Sequence, residues 1–348
     1  MKGTHNNPPN NKLGSGLKKI DVLEAVSKSG YPLQTIIANL LRTKFHVQEE
    51  WSYIDKDTQG LRTIDILAEK RLHDFTQIEA SVRPSLTLLV ECKQSELPYV
   101  FFLSSGKQLV PYFPLLAGLF KNTLDITTDD DASSWEFSLL DALGLNLHPF
   151  LIKEPQYCMS FTKCVRKGSN LELSGSESYH GIIMPILKAM NHYQEVEEPP
   201  MTALYFDIHI IIGIGVLDAP MIGVETSKKS QNLMLTPWIR AVRHETDKIP
   251  DWRHRTRLFA IDIIHKDFLQ PYLDNHVLPF AEEFSKLSLK HQHVLASGKA
   301  FVKGMGKDGW RNIEKRLEPR KISARISQSR LIGKNIFRFL TGRKSKNE

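Results

Sequence analysis

Leu86-Thr87-Leu88-Leu89-Val90-Glu91-Cys92-Lys93 is apolar for most of its length and then closes on a carboxylate and an ammonium two residues apart. The apolar run reads as an interior strand. Side chains alternate across a strand, so Glu91 and Lys93 leave the same face, roughly 6 to 7 Å apart along it. A lone carboxylate at the end of such a strand carries a desolvation cost that a bound cation removes. Upstream, Arg62-Thr63-Ile64-Asp65-Ile66-Leu67-Ala68 has the two-residue period of another strand, with Ile64, Ile66 and Ala68 on one face and Asp65 and Leu67 on the other. Paired at about 4.8 Å, the two strands bring Asp65, Glu91 and Lys93 together where the sheet ends. Two carboxylates suit Mg²⁺, which takes one or two acids together with waters and phosphate oxygens and keeps the acids ionised. Lys93 then steadies charge developing on a phosphoryl group. The plainer alternative is a turn-capping Asp65 beside an exposed Glu91–Lys93 pair, worth well under about 1 kcal/mol.

Outward from this pair, Tyr31-Pro32 precedes apolar residues at Leu33, Ile36, Ile37, Leu40, Leu41 and Phe45, the spacing of a helix face. Val47 to Ile54 reads as a strand, Asp55-Lys56-Asp57-Thr58-Gln59-Gly60 as a polar hairpin turn, and Tyr99 to Leu103 as a further strand. The pattern weakens over 104–178, which reads as an insertion. Ile183, Ile186, Leu187, Met190 and Tyr193 mark a helix, Ala203 to Leu217 a buried strand, and Met221 to Val224 its returning partner. Gly213 and Gly215 inside that strand point to close backbone approach. Pro271 to His293 is helical again. The order predicts an α/β fold, one mixed central sheet flanked by helices, with a helical C-terminal extension.

This Asp65…Glu91-x-Lys93 arrangement, after a helix and a hairpin, resembles the PD-(D/E)XK nuclease superfamily, the restriction-endonuclease-like fold. It looks most like the Mrr-like type IV restriction endonucleases and uncharacterised bacterial relatives. The resemblance covers Gly30 to about Ser104 and extends through Ile182 to Leu217. It implies a nuclease-like core over 18–265 with the insertion at about 104–178, a helical extension over 266–319 and a basic tail over 320–348. It also implies that Asp65 and Glu91 ligate Mg²⁺, with Mn²⁺ as a substitute, and that Lys93 is the catalytic lysine. Gln34 falls where many members place a Glu or Gln beside the metal, and Gln94 where several place a polar residue near substrate. Ile64 stands where many members have proline. The implied activity is Mg²⁺-dependent hydrolysis of DNA phosphodiester bonds by an endonuclease in bacterial defence or DNA processing. The alternative is a non-cutting nucleic-acid or partner-binding module of the same fold. Many nucleases of this shape dimerise, so a homodimer is an expectation.

The 348-residue chain has globular composition, 41% hydrophobic and 24% charged, which excludes a mostly disordered or coiled-coil chain. Its net charge of +7 is uneven. Residues 320–348 hold nine basic residues and one acid, and the preceding 319 hold 37 basic against 38 acidic residues. The tail, with Arg330, Lys334 and Arg338 at four-residue spacing, suits nucleic-acid phosphates, an anionic membrane surface or an acidic protein groove, and the nuclease resemblance favours phosphates. Three cysteines make no disulfide framework and fit a reducing compartment. The polar 1–17 segment reads as a loose arm without signal-peptide character, and no apolar run reaches the roughly 20 residues of a membrane span. A cytoplasmic protein is therefore expected. His192 reads as a helix-surface residue, although some members of the superfamily place a Gln or Tyr facing DNA on this helix; Arg240, Arg243 and His244 read as candidate phosphate contacts, and His265-Lys266-Asp267 as structural.

Overall fold

The computed structural model of the chain describes residues 3–74, 80–106, 110, 113–129, 134–245, 257–303 and 309–320. The helices are α1 (Lys19–Lys28), α2 (Tyr31–Arg42), α3 (Leu139–Ala142), α4 (Pro149–Ile152), α5 (Gly175–Ser178), α6 (Met184–Val196), α7 (Leu269–Tyr272), α8 (Leu278–Lys290) and α9 (Gln292–Ser297). Pro32 sits in the first turn of α2, where a missing N–H costs nothing. Leu33, Ile37 and Leu41 centre its buried stripe, so Ile36, expected on that face, falls outside it and is exposed.

After α2, β1 (His46–Ile54) and β2 (Leu61–Arg71) form a hairpin in one register from His46↔Glu69 to Ile54↔Leu61, closed by the expected polar turn. Asp55 in that turn is buried and bonded by Arg62 Nε at 2.8 Å and Lys188 Nζ at 2.5 Å, which ties the hairpin tip to α6. Burial alone would raise the Asp55 carboxyl, but Lys188 and the Asp57 amide hold it well below the usual range.

The other strands are β3 (Val82–Gln94), β4 (Tyr99–Leu103), β5 (Leu115–Ala117), β6 (Thr123–Thr128), β7 (Ser134–Ser138), β8 (Tyr157–Lys167), β9 (Asn170–Ser174), β10 (Phe206–Asp218), β11 (Met221–Thr226), β12 (Gln231–Leu235), β13 (Trp238–Glu245), β14 (Arg257–His265), β15 (Lys299–Val302) and β16 (Leu317–Pro319). One large mixed sheet runs β1-β2-β3-β10-β14-β13-β8-β4-β11-β12, with β5 beside β10 and β9 beside β8. A smaller sheet runs β16-β15-β6-β7. At the centre β3, β10 and β14 are parallel, and β3 and β10 pair along their whole length. With β3 and β14 on its two edges, β10 has no side left for β11. The expected return strand instead pairs with β4 and β12.

Helices cover both faces, as a largely apolar central strand requires. Side chains from α2, α7, α8 and α9 join Leu86, Leu88, Val90 and Ile212 in one core, and α6 joins Leu89, Ile211 and Ile261 in the other. α6 lies close on β10. A Cβ at Gly213 would stand 2.4 Å from Ile186 Cγ2 and 2.7 Å from Met190 Sδ. Residues 104–178 contribute β5, β8 and β9 to the large sheet, and Tyr272, Phe280, Phe284, Val302 and Leu317 from the C-terminal part join the core of Leu86, Leu88 and Val90. Residues 321–348, most of the basic tail, lie outside the described residues.

Arg240, a candidate phosphate contact, turns inward instead. It forks onto Asp262, its cross-strand neighbour, at 2.8 and 3.0 Å, and donates to the Phe150 carbonyl at 3.1 Å. Tyr193, read as part of the apolar face of its helix, is buried, with its hydroxyl donating to Glu69 at 2.5 Å. His265 Nδ1 accepts the Asp267 amide and Lys266 pairs with Asp218, both structural as expected.

Candidate metal centre

The strand registers set the site. The β2–β3 ladder reaches Ile66↔Val90, and one residue further the same register sets Asp65 beside Glu91. Glu91 in turn pairs with Gly215 of β10, and the β1–β2 register sets Glu50 opposite Asp65. Glu50, Asp65 and Glu91 thus stand in one row across three strands. At this row the hairpin turns over. Ile64 packs with Tyr53, Leu67 and Leu89, whereas Ile66 and Ala68 pack in the opposite core, so the expected shared face for Ile64, Ile66 and Ala68 is not formed. Opposite this break, in β1, Glu50 has φ 51, a left-handed conformation rare for a residue with a Cβ.

Asp65, half-buried, holds the end of the ladder with its side chain: Oδ2 accepts the Cys92 amide at 2.7 Å. Glu91 is only 6% exposed. Lys93 Nζ donates to Glu91 Oε1 at 2.6 Å, and Glu91 Oε2 is buried with no hydrogen-bond partner. Burial, then the Asp65 charge, pushes the Glu91 carboxyl up to about 7. Burial likewise raises Asp65. For Lys93 burial acts downward, but the Glu91 carboxylate outweighs it and the ammonium is held above its ordinary value. Gly181, in the π-helical turn Tyr179–Ile183 that leads into α6, walls this side; a Cβ there would meet Lys93 Cε at 3.6 Å. Single π turns inside helices recur at functional sites.

Gln34 reaches the row from α2. Its buried amide nitrogen donates to Glu50 Oε1 at 2.9 Å and to the Asp65 carbonyl at 3.1 Å. Gln94 is exposed, and strand alternation turns it to the opposite face from Lys93. The structure therefore gathers Asp65, Glu91, Lys93 and Gln34 and leaves Gln94 apart. Glu50 was not among the sequence candidates. The hairpin register, countable once the Asp55–Gly60 turn is placed, was the available signal for it.

Among the described residues, no three or more His, Cys, Asp or Glu side chains lie together in metal-holding geometry. The observation that fits a cation is the orphaned Oε2 of Glu91, a buried acceptor that a positive ligand would satisfy. A cavity of about 740 Å³ lies elsewhere, between Phe113, Tyr157, Arg240 and Val242. Among the described residues no helix is long and apolar enough to cross a membrane. No protein-family model, no curated protein and no solved structure matches the chain.

Proposed function

We propose that the chain is a divalent-cation-dependent phosphodiesterase that cuts DNA, with a restriction-endonuclease-like core. The observation that carries this reading is the buried, half-satisfied Glu91 carboxylate beside Asp65 and Lys93 at the end of an apolar strand. Asp65 and Glu91 would hold Mg²⁺, with Mn²⁺ as a substitute. Such an ion supplies Lewis-acid stabilisation of phosphoryl oxygens and makes water a better nucleophile. The chain's own groups do the rest. The Cys92 amide fixes one Asp65 oxygen, leaving the other for a ligand. The Glu91 charge keeps Lys93 protonated, so its ammonium can donate to a non-bridging phosphoryl oxygen as negative charge grows there. Lys93 is about a third exposed, so a phosphate on a long polymer can reach it.

Supercoiled plasmid incubated with Mg²⁺ or Mn²⁺ tests this. The wild-type chain nicks or linearises it, chelation stops the reaction, and Asp65→Ala and Lys93→Ala each lose at least about a hundredfold in rate, the upper part of what one preorganised electrostatic contact contributes. Undiminished cleavage by both variants removes these residues from the mechanism. The non-cutting module draws its support from the Lys93–Glu91 ion pair, which already neutralises one carboxylate internally. Tight DNA binding with no cleavage and no cation uptake would favour it.

A further inference from the structure

We propose that Glu50 is a third acid of the same centre, and that the fold tolerates a strained backbone there to keep its carboxylate in place. This rests on the cation-site reading above and adds a residue to it. Glu50 adopts φ 51, a conformation that side chains with a Cβ rarely take and that Gly or Asn fills with less strain. Glutamate is an unfavourable choice for such a position, so the side chain is the feature with something to do. The carboxylate is not loose: Gln34, a buried residue on the helix under the hairpin, holds Glu50 Oε1 at 2.9 Å and grips the Asp65 carbonyl with the same nitrogen. One amide therefore ties Glu50 to the residue opposite it. Two strands away in the same row is Glu91 Oε2, buried and without a partner, the independent sign that a ligand belongs here.

Glu50, Asp65 and Glu91 do not converge on a single point. The role that fits is thus not a third direct ligand. A hard cation held by one or two carboxylates keeps several waters. An acid fixed at the rim of the row acts on that hydration shell by charge and hydrogen bonding, and such outer partners change metal affinity by about 10- to 100-fold. Glu50 is a positioning residue in this sense, and Gln34 orients it.

The test is Mn²⁺ titration of the full chain by calorimetry, with the melting temperature of each metal-free protein measured alongside. The comparison is between wild type, Glu50→Gln, Glu50→Gly and Glu91→Gln. The expected result is Mn²⁺ binding by wild type and its loss in Glu91→Gln. Both Glu50 variants bind at least about tenfold more weakly, while the Glu50→Gly melting temperature is unchanged or higher because the backbone strain is relieved. Wild-type affinity in both Glu50 variants overturns the role of Glu50 and leaves the cation site standing. A Glu50→Gly protein that binds weakly and also melts earlier assigns Glu50 to the fold instead. Wild-type chain that takes up no Mn²⁺ sinks the cation site itself, and the role of Glu50 with it.

Discussion

Glu91 meets opposing demands. Its strand is apolar and buried, and its two oxygens are treated differently: Oε1 has the Lys93 ammonium and Oε2 has nothing. The consequence is measurable without any cation. In the unfolded chain the carboxyl titrates near 4.5 and in the native chain near 7, so between those pH values the native state holds a proton the unfolded state has released. Stability therefore falls as pH rises through that window, by up to about 3 kcal/mol. Between pH 5 and pH 8 the denaturant midpoint of the metal-free wild type should fall relative to that of Glu91→Gln; histidines such as His209, which burial pushes down, act in the opposite sense in both proteins alike. Equal pH dependence in the two proteins would mean that Glu91 is not the strained acid. At this scale the sequence shows Asp65, Glu91 and Lys93 plainly, because polar residues at the end of an apolar strand stand out. Glu50 was hidden by its φ: nothing in Gln48-Glu49-Glu50-Trp51 marks a left-handed residue, and the change of face opposite it, which puts Ile64 and Ile66 in different cores, has no local signal either.

Among the elements, α6 and the hairpin bound the centre, and both are placed by identifiable contacts. α6 can lie on β10 only because Gly213 and Gly215 have no side chains; Cβ atoms there would stand 2.4 Å from Ile186 and 2.8 Å from Ile182. Gly213→Ala should cost about 1 to 3 kcal/mol in a urea denaturation, the usual penalty for overpacking a close contact. An unchanged midpoint would show that α6 has room to move. These glycines were readable in the sequence as sites of close approach, and so were the helix, hairpin and interior strand of residues 31–94. The partner of β10 was not. Local pattern says that Met221–Thr226 is a strand but not which edge it joins, and that depends on β3 and β14 having already filled both sides of β10.

Over the whole molecule, the α/β class with helices on both faces of a mixed sheet was legible from the order of apolar runs. The involvement of residues 104–178 in both sheets was not, since β5, β6, β7 and β9 are short and local pattern does not say which sheet a strand joins. Two strands along the sheet from β3, the Arg240–Asp262 pair with Tyr272 joins β13, β14 and α7 inside the apolar interior. Arg240→Met leaves the buried Asp262 carboxyl without its main partner and should destabilise the chain by about 3 to 5 kcal/mol. A near-wild-type melting curve would place that pair outside the stabilising core. The basic tail belongs to this scale as well. Removing residues 321–348 should lower the slope of log affinity for DNA against log salt, by about 0.9 for each phosphate that the tail neutralises; an unaltered slope would exclude the tail from DNA binding. The proposed activity turns on whether a divalent cation sits in the row of acids. Anomalous diffraction from crystals grown with Mn²⁺ addresses that directly. A peak in contact with Glu91 Oε2 and an Asp65 oxygen is the result expected, and a diffracting Mn²⁺-soaked crystal with no density between those carboxylates would contradict it.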